Sequence, residues 1–154
     1  MAACMCYAFV LGRAVRDPDF RSRFIADPAG VYRHFGGSRL VSAFKALTEA
    51  DRKQLDRQLR DIGRSVAAAA KKVTDPTGLD LVLGQGLADP AFHAKLLKSP
   101  LAAVTEYLGR SRGVRELASF FRSKQFKVLG TLESQRASMT TAGQRFGAAM
   151  NKAR

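Results

Sequence analysis

Apolar positions recur along the chain at the spacing of α-helices, and the positions between them are mostly polar or charged. The longest apolar stripe follows i, i+4, i+7 and i+11 and consists of Leu55, Leu59, Ile62 and Val66. This spacing directs one side of an α-helix toward a core. Thr48 and Asp51 form a variant of the capping box at the start of this stretch. We therefore predict a long helix over residues 48–72.

A stretch of 29 residues occurs twice in the chain in altered form. Residues 9–37 align with residues 81–109 at an offset of 72 without a gap, and eight of the 29 positions are identical. Chance at ordinary composition would give roughly two identities. The identical pairs are Val10/Val82, Leu11/Leu83, Gly12/Gly84, Asp17/Asp89, Pro18/Pro90, Phe20/Phe92, Pro28/Pro100 and Gly37/Gly109. We predict two tandem copies of one small helical bundle.

Proline marks the joints between three short helices in each copy. An Asp-Pro pair opens the second helix of both copies, at Asp17 and Asp89. A carboxylate at the N-cap accepts the free amides of the first turn, and proline at the first helical position sacrifices no hydrogen bond. We expect Asp27-Pro28 and Ser99-Pro100 to open the third helix in the same way. Glycines are expected to end it, at Gly36, Gly37 and Gly109.

The second helix of each copy has an apolar stripe, which begins at Phe20 and at Phe92. Arg21 and its counterpart His93 fall off this stripe, so we expect both side chains to be exposed. The two copies differ at several positions of this kind, which indicates that packing was retained while surface chemistry changed. We therefore expect function where the copies differ: Arg21/His93, Asp27/Ser99, Arg33/Thr105 and His34/Glu106.

The remaining segments are also predicted to be helical, apart from the joints. We expect a short helix over 38–47, a linker over 74–78, a helix over 114–121, and a helix to about residue 139 followed by a tail that is mobile or is ordered by a partner. Ala, Leu, Arg, Lys and Gln dominate and Trp is absent, which favours an all-α fold. We divide the chain into residues 1–73, residues 79–121, and a basic C-terminal extension over residues 122–154.

The net charge of +13 is high for a chain of 154 residues. Such a surface attracts nucleic acid, anionic membrane or acidic protein. The excess is concentrated in residues 110–154, where ten Lys and Arg face only Glu116 and Glu133. The apolar N-terminal stretch has no positively charged n-region and is too short to cross a bilayer. We expect a cytoplasmic protein without a membrane span.

Few residues form a sequence pattern that indicates catalysis or metal binding. His34 and His93 have no Cys or carboxylate at metal-ligand spacing, and Cys4 and Cys6 lack further ligands for a soft metal such as Cu(I). The glycines around Gln85 lack the pattern of a phosphate-binding loop. No Ser, His and Asp form a pattern that indicates a nucleophile with its base. We expect no enzymatic activity, no cofactor, no metal and no small-molecule substrate.

The Asp-Pro-capped helices and the motif LTExDRxxL resemble a known group of helical domains. The matching residues of the first copy are Asp17, Pro18, Phe20, Phe24, Asp27, Pro28, Val31, Phe35 and Gly36, followed by Leu47, Thr48, Glu49 and Leu55. Those of the second copy are Asp89, Pro90, Phe92, Leu96, Leu97, Pro100, Ala103, Tyr107 and Gly109. The pattern resembles the small helical domain of the α-subunit of protocatechuate-type extradiol dioxygenases. It also resembles the nitrile-hydratase-like and borosin-type leader domains of ribosomally made peptides. The resemblance implies a recognition or accessory domain that docks on another protein through an apolar helix face.

Our first hypothesis is a non-catalytic accessory subunit that docks on a partner protein or a multi-subunit assembly through its C-terminal segment. The residues expected to make this contact are Phe120, Phe121, Phe126, Val128, Leu129 and Leu132. They provide more apolar surface than a short terminal helix usually buries alone. The alternative is that these side chains fold back onto the two copies.

Two other hypotheses remain open. The first is a nucleic-acid-binding protein with little sequence specificity, because no helix-turn-helix spacing is evident. Its electrostatic stripe would consist of Arg110, Arg112, Arg115, Arg122, Lys124 and Lys127, joined by Arg52, Lys53, Arg57, Arg60 and Arg64. The second is a precursor or leader protein of a ribosomally made peptide, which predicts a modified or trimmed tail.

Overall fold

A computed structural model describes residues 5–110, 113–122 and 145 of the chain. The secondary structure of this part is helical and includes no strand, so the all-α prediction is confirmed. The helices of residues 5–122 are α1 (Cys6–Arg16), α2 (Pro18–Ala26), α3 (Pro28–His34), α4 (Val41–Lys45), α5 (Glu49–Ala70), α6 (Pro76–Ala88), α7 (Pro90–Lys98), α8 (Pro100–Leu108) and α9 (Val114–Phe121). Among these described helices, none is both long enough and apolar enough to cross a membrane.

Asp-Pro caps begin α2 and α7 as predicted. Asp17 Oδ1 accepts the amide of Phe20 at 3.2 Å, and Asp89 Oδ1 accepts the amide of Phe92 at 3.4 Å. Asp27 caps α3 through the amide of Gly30, but the Ser99 side chain makes no cap hydrogen bond to α8. The predicted cap at Ser99 is therefore wrong, although Pro100 still opens the helix.

The linker between the two copies is shorter than predicted. Helix α6 begins at Pro76, because Asp75 Oδ1 accepts the amide of Gly78 at 2.9 Å. Helix α6 therefore begins within the predicted linker, with the same Asp-Pro signal that opens α2 and α7. Thr74 is held against α9, because Glu116 accepts hydrogen bonds from its amide and from its hydroxyl.

The long helix α5 begins with the predicted capping box. Thr48 Oγ1 accepts the amide of Asp51 at 3.1 Å, and Asp51 Oδ2 accepts the amide of Thr48 at 2.9 Å. The helix ends at Ala70, two residues before the predicted end. It packs against α1 and α2, and its buried stripe consists of Leu55, Leu59, Ile62 and Val66.

Helices α1 and α6 make the most extensive helix–helix contact of the described part, and residues of both copies contribute to one hydrophobic core. A Cβ atom at Gly12 would overlap the backbone carbonyl oxygen of Asp80. A Cβ atom at Gly84 would overlap the backbone carbonyl oxygen of Ala8. Adding 72 to Gly12 and Ala8 gives Gly84 and Asp80, so the two contacts are reciprocal. Reciprocal contacts of this kind are typical of a local twofold arrangement.

The predicted exposure of Arg21 and His93 is wrong, because each side chain is only 8% exposed. Arg21 Nη1 donates to the carbonyl oxygen of Ala14 at 3.1 Å, and His93 Nδ1 lies 3.0 Å from the carbonyl oxygen of Gly86. Ala14 and Gly86 are themselves 72 residues apart and lie near the ends of α1 and α6. The last carbonyls of a helix lack intrahelical donors, so a side chain from the next helix satisfies them.

Candidate interaction surface at helices α8 and α9

The first two of the six predicted partner-contact residues lie in the core of the described part. Phe121 is fully buried and Phe120 is 6% exposed, and their rings lie 4.9 Å apart. Both side chains therefore pack against the rest of the fold. This is the alternative interpretation, in which they are not available to a partner. The other four residues, Phe126, Val128, Leu129 and Leu132, lie outside the described residues.

A different apolar side chain is exposed next to α9. Leu101 on α8 is 39% exposed and is the one exposed large hydrophobic residue of the described part. Two shallow grooves meet at Leu101 and Thr105. Cations line both grooves, Arg110 and Arg115 on one side and Lys98 and Arg122 on the other. We call these six residues the α8–α9 surface: Lys98, Leu101, Thr105, Arg110, Arg115 and Arg122.

The cations of the α8–α9 surface have no ion pair with a carboxylate of the described part. Two carboxylates also line the grooves, but each has a partner within the chain. Glu116 accepts hydrogen bonds from Thr74, and Glu106 lies 3.6 Å from Lys95 Nζ. The surface is therefore positively charged around an apolar centre.

The cations of α5 that were proposed to extend an electrostatic stripe are mostly paired within the chain. Lys53 lies 3.5 Å from Glu49, and Arg64 lies 3.4 Å from Asp61. Arg60 pairs with Asp56, and Arg52 donates to a backbone carbonyl, while Arg57 is exposed. Pairs one helical turn apart partly cancel each other's field. The strongest unpaired positive charge thus lies at α8 and α9 rather than along α5, and Arg112, Lys124 and Lys127 lie outside the described residues.

One buried ion pair joins the two copies. Arg16 on α1 donates to both carboxylate oxygens of Asp80 on α6, at 2.7 and 2.9 Å. The Asp80 side chain is 1% exposed. Burial raises the pKa of Asp80 above its usual value, and the Arg16 guanidinium offsets part of this effect. The pair fixes α1 on α6.

Metal-binding groups are absent from residues 5–110 and 113–122, where no three His, Cys, Asp or Glu side chains come together. Cys6 Sγ donates to the carbonyl oxygen of Phe35 at 3.0 Å. His34 packs edge-on against the Phe35 ring, with centroids 5.2 Å apart. Cys6 and His34 therefore have partners within the fold.

One curated protein is similar to this chain over most of the length of this chain. The chain is 26% identical over 130 residues to the nicotinate-nucleotide–dimethylbenzimidazole phosphoribosyltransferase of Allorhizobium ampelinum. The alignment covers 81% of this chain and 38% of that enzyme, so the chain spans less than two fifths of its relative. No family model and no solved structure matches the chain.

Proposed function

We propose that this protein is a non-catalytic accessory subunit that docks on an acidic partner protein through the α8–α9 surface and the segment that follows Arg122. The observation that carries the proposal is the exposed Leu101 with cations around it that have no described carboxylate partner. Protein interfaces combine an apolar centre with a polar rim and are enriched in arginine. The partner would present carboxylates around a shallow apolar pocket, which steers association and sets orientation.

The same proposal is favoured by the resemblance to helical domains that dock on other proteins. The phosphoribosyltransferase relative supports no reaction for this chain, since the match is distant and covers 38% of that enzyme. In the described residues, the carboxylates mainly cap helices or pair with cations, so they have structural partners. We therefore propose a binding role in place of a transferase activity.

Leu101→Ala is expected to weaken partner binding at least about fivefold, since truncation of a central interface side chain commonly costs about 1 kcal/mol or more. Alanine is the natural residue at the corresponding position of the first copy, Ala29. The exposed side chain contributes little to the core, so the midpoint of urea unfolding should not change. The partner is first identified by photo-crosslinking from position 101 in native cells, with position 22 as the control.

Ser22 suits the control because it is exposed on α2, away from the residues that define the α8–α9 surface. A nuclease-resistant crosslink from position 101 that is absent from position 22 supports the proposal. Equal crosslinking from both positions, or unchanged affinity of Leu101→Ala for the identified partner, contradicts it.

Nucleic acid is the second candidate for the same surface, favoured by Arg110, Arg115 and Arg122, which form no ion pair with a described carboxylate. Binding to a duplex would then fall with salt, with a log–log slope of about −0.9 for each phosphate neutralised. Arg115→Ala would reduce this slope by about one, whereas Leu101→Ala would leave it unchanged. Fluorescence anisotropy with labelled duplexes of unrelated sequence measures this affinity at several salt concentrations. Binding that does not depend on salt excludes this candidate.

The peptide-precursor hypothesis makes a different prediction about the tail. Intact mass spectrometry of the protein isolated from its native cells would reveal added or missing mass in the C-terminal segment. An unmodified mass that ends at Arg154 would exclude this role.

A further inference from the structure

A second concave site lies on the first copy, separate in its residues from the α8–α9 surface. Residues of helices α1, α2 and α3, together with Phe35, line an open pocket of about 440 Å³. This volume lies within the range of small-molecule sites. The side chains that matter for its chemistry are Arg13, Phe20, Arg23, Asp27, His34 and Phe35.

Aromatic rings and arginine side chains are in contact with each other at the pocket. The Phe20 and Phe35 rings meet edge to face, with centroids 5.7 Å apart. The guanidinium carbon of Arg13 lies 4.8 Å from the Phe20 centroid, and that of Arg23 lies 5.7 Å from it. Stacking on an aromatic ring holds a guanidinium in place and leaves N–H donors available for a ligand. Two positioned cations therefore share one ring at the pocket.

The positive charge of the pocket is only partly compensated. Arg13 forms an ion pair with Asp17, whose Oδ2 lies 3.7 Å from the buried Nε of Arg13. Arg23 forms no ion pair with a described carboxylate. The Asp27 carboxylate lines the pocket, but its Oδ1 already accepts the amide of Gly30 at 3.0 Å. An anion at the pocket would therefore meet the exposed guanidinium of Arg23, with the Arg13–Asp17 ion pair beside it.

The second copy provides an internal comparison, because its corresponding residues have different chemistry. The aromatic pair is retained as Phe92 and Tyr107, with centroids 5.1 Å apart. Lys95 and Glu106 replace Arg23 and His34, and they lie 3.6 Å from each other. Gln85 replaces Arg13. The second copy has therefore kept the rings and neutralised the charge, so the cationic pocket belongs to the first copy.

We propose that this pocket binds a small aromatic anion, a planar ring that carries a carboxylate or a phosphate. The ring packs against the accessible parts of His34 and Phe35, and the anionic group accepts hydrogen bonds from the exposed Arg23 guanidinium, with Arg13 close by. Charge-assisted bonds of a guanidinium to such a group are strong and geometrically specific. This site goes beyond the docking role, since it takes a small molecule and uses a different copy.

The test is an NMR titration of the full ¹⁵N-labelled chain with benzoate, phenyl phosphate and the neutral benzamide. We expect saturable shifts of the amides of residues 30–35, with a dissociation constant of about 1 mM for the better anion. Benzamide should bind at least about tenfold more weakly, because it lacks the charge that the arginines recognise. The comparison of benzoate with phenyl phosphate identifies which anionic group the site prefers.

Two variants test the assignment to these side chains. Arg23→Lys/His34→Glu gives the first copy the residues of the second, and we expect at least about tenfold weaker anion binding because the new pair neutralises itself. Glu106→Gln in the second copy is the matched control and should leave the affinity unchanged. If the double variant does not fold, the single variant Arg23→Gln replaces it in the test. Arg23 is exposed, so its loss should weaken anion binding without unfolding the protein. Equal binding of benzamide and benzoate, or unchanged affinity of the folded variant, overturns the proposal.

Discussion

Gly12→Ala is expected to destabilise the protein by about 3 kcal/mol or more, because the added methyl group would overlap the carbonyl oxygen of Asp80 on α6. Backbone atoms of two packed helices cannot move aside as a flexible side chain does. Helices α1 and α6 must separate, and their extensive contact loses packing along its whole length. A loss of this size is a large fraction of the stability of an ordinary domain.

The corresponding change in the second copy makes the prediction more specific. Gly84→Ala should have a similar cost, because its Cβ would overlap the carbonyl oxygen of Ala8. The double variant Gly12→Ala/Gly84→Ala should cost clearly less than the sum of the two, since one separation of α1 from α6 accommodates both methyl groups. Additive costs would contradict a shared crossing.

Urea unfolding followed by circular dichroism measures these effects. Gly109→Ala is the matched control, because Gly109 has a φ of 79° and no atom of the described residues lies within 4 Å of an added Cβ. Its cost should stay at about 1–3 kcal/mol, which is the penalty for a residue with a side chain at a φ of 79° and a ψ of 179°, a backbone conformation adopted almost only by glycine. A stability of Gly12→Ala within about 0.5 kcal/mol of the parent would show that α1 and α6 do not approach so closely.

Arg16→Met should cost about 3–5 kcal/mol at neutral pH, because it leaves the buried Asp80 carboxylate without its partner. The double variant Arg16→Ala/Asp80→Ala should recover most of this loss. It installs at these positions the residues that the other copy contains, since Ala88 and Ala8 correspond to Arg16 and Asp80 and are themselves buried. A double variant as unstable as Arg16→Met would contradict the explanation by an unpaired charge.

The pH dependence of Arg16→Met follows from the raised pKa of Asp80. A carboxyl group with a higher pKa in the folded state holds its proton more tightly there than in the unfolded chain. Its favourable contribution is complete below the unfolded pKa of about 3.9 and is lost as the pH rises through the folded pKa. Loss of the Arg16 guanidinium raises the folded pKa of Asp80 further, so the cost of Arg16→Met should shrink as the pH falls toward 4. A penalty that does not change with pH would mean that Asp80 is not the group responsible.

Much of the local structure could be predicted from residues close together in the chain. The cap of α2 at Asp17 and the capping box at Thr48 depend on partners three residues away, and both are present. The helix at Val114–Phe121 also has the predicted ends. The cap at Asp75 carries the same signal and was overlooked, because the surrounding Thr, Pro and Gly residues are also typical of a linker.

The proposed sites illustrate why surface function was harder to predict than helices. Phe120 and Phe121 are residue types that are common in protein contacts, but on α9 both side chains point into the core. Leu101 on α8 is exposed instead. Hydrophobicity along the chain does not distinguish an apolar residue that finds a neighbour from one that does not. The pocket was likewise not evident, because Arg13, Arg23 and His34 come from three helices and have no common motif.

The sequence by itself determined the helical class, most helix boundaries and the correspondence of positions 72 residues apart, because capping and helical periodicity act within one or two turns. Only the tertiary structure explains why both copies have a glycine at Gly12 and Gly84. These glycines permit two helices that are remote in sequence to cross at backbone contact. It also decided that Arg21 and His93 are buried partners of helix-end carbonyls. Such roles depend on which helix lies opposite a residue, and that is set by the packing of the whole core rather than by neighbours in the chain.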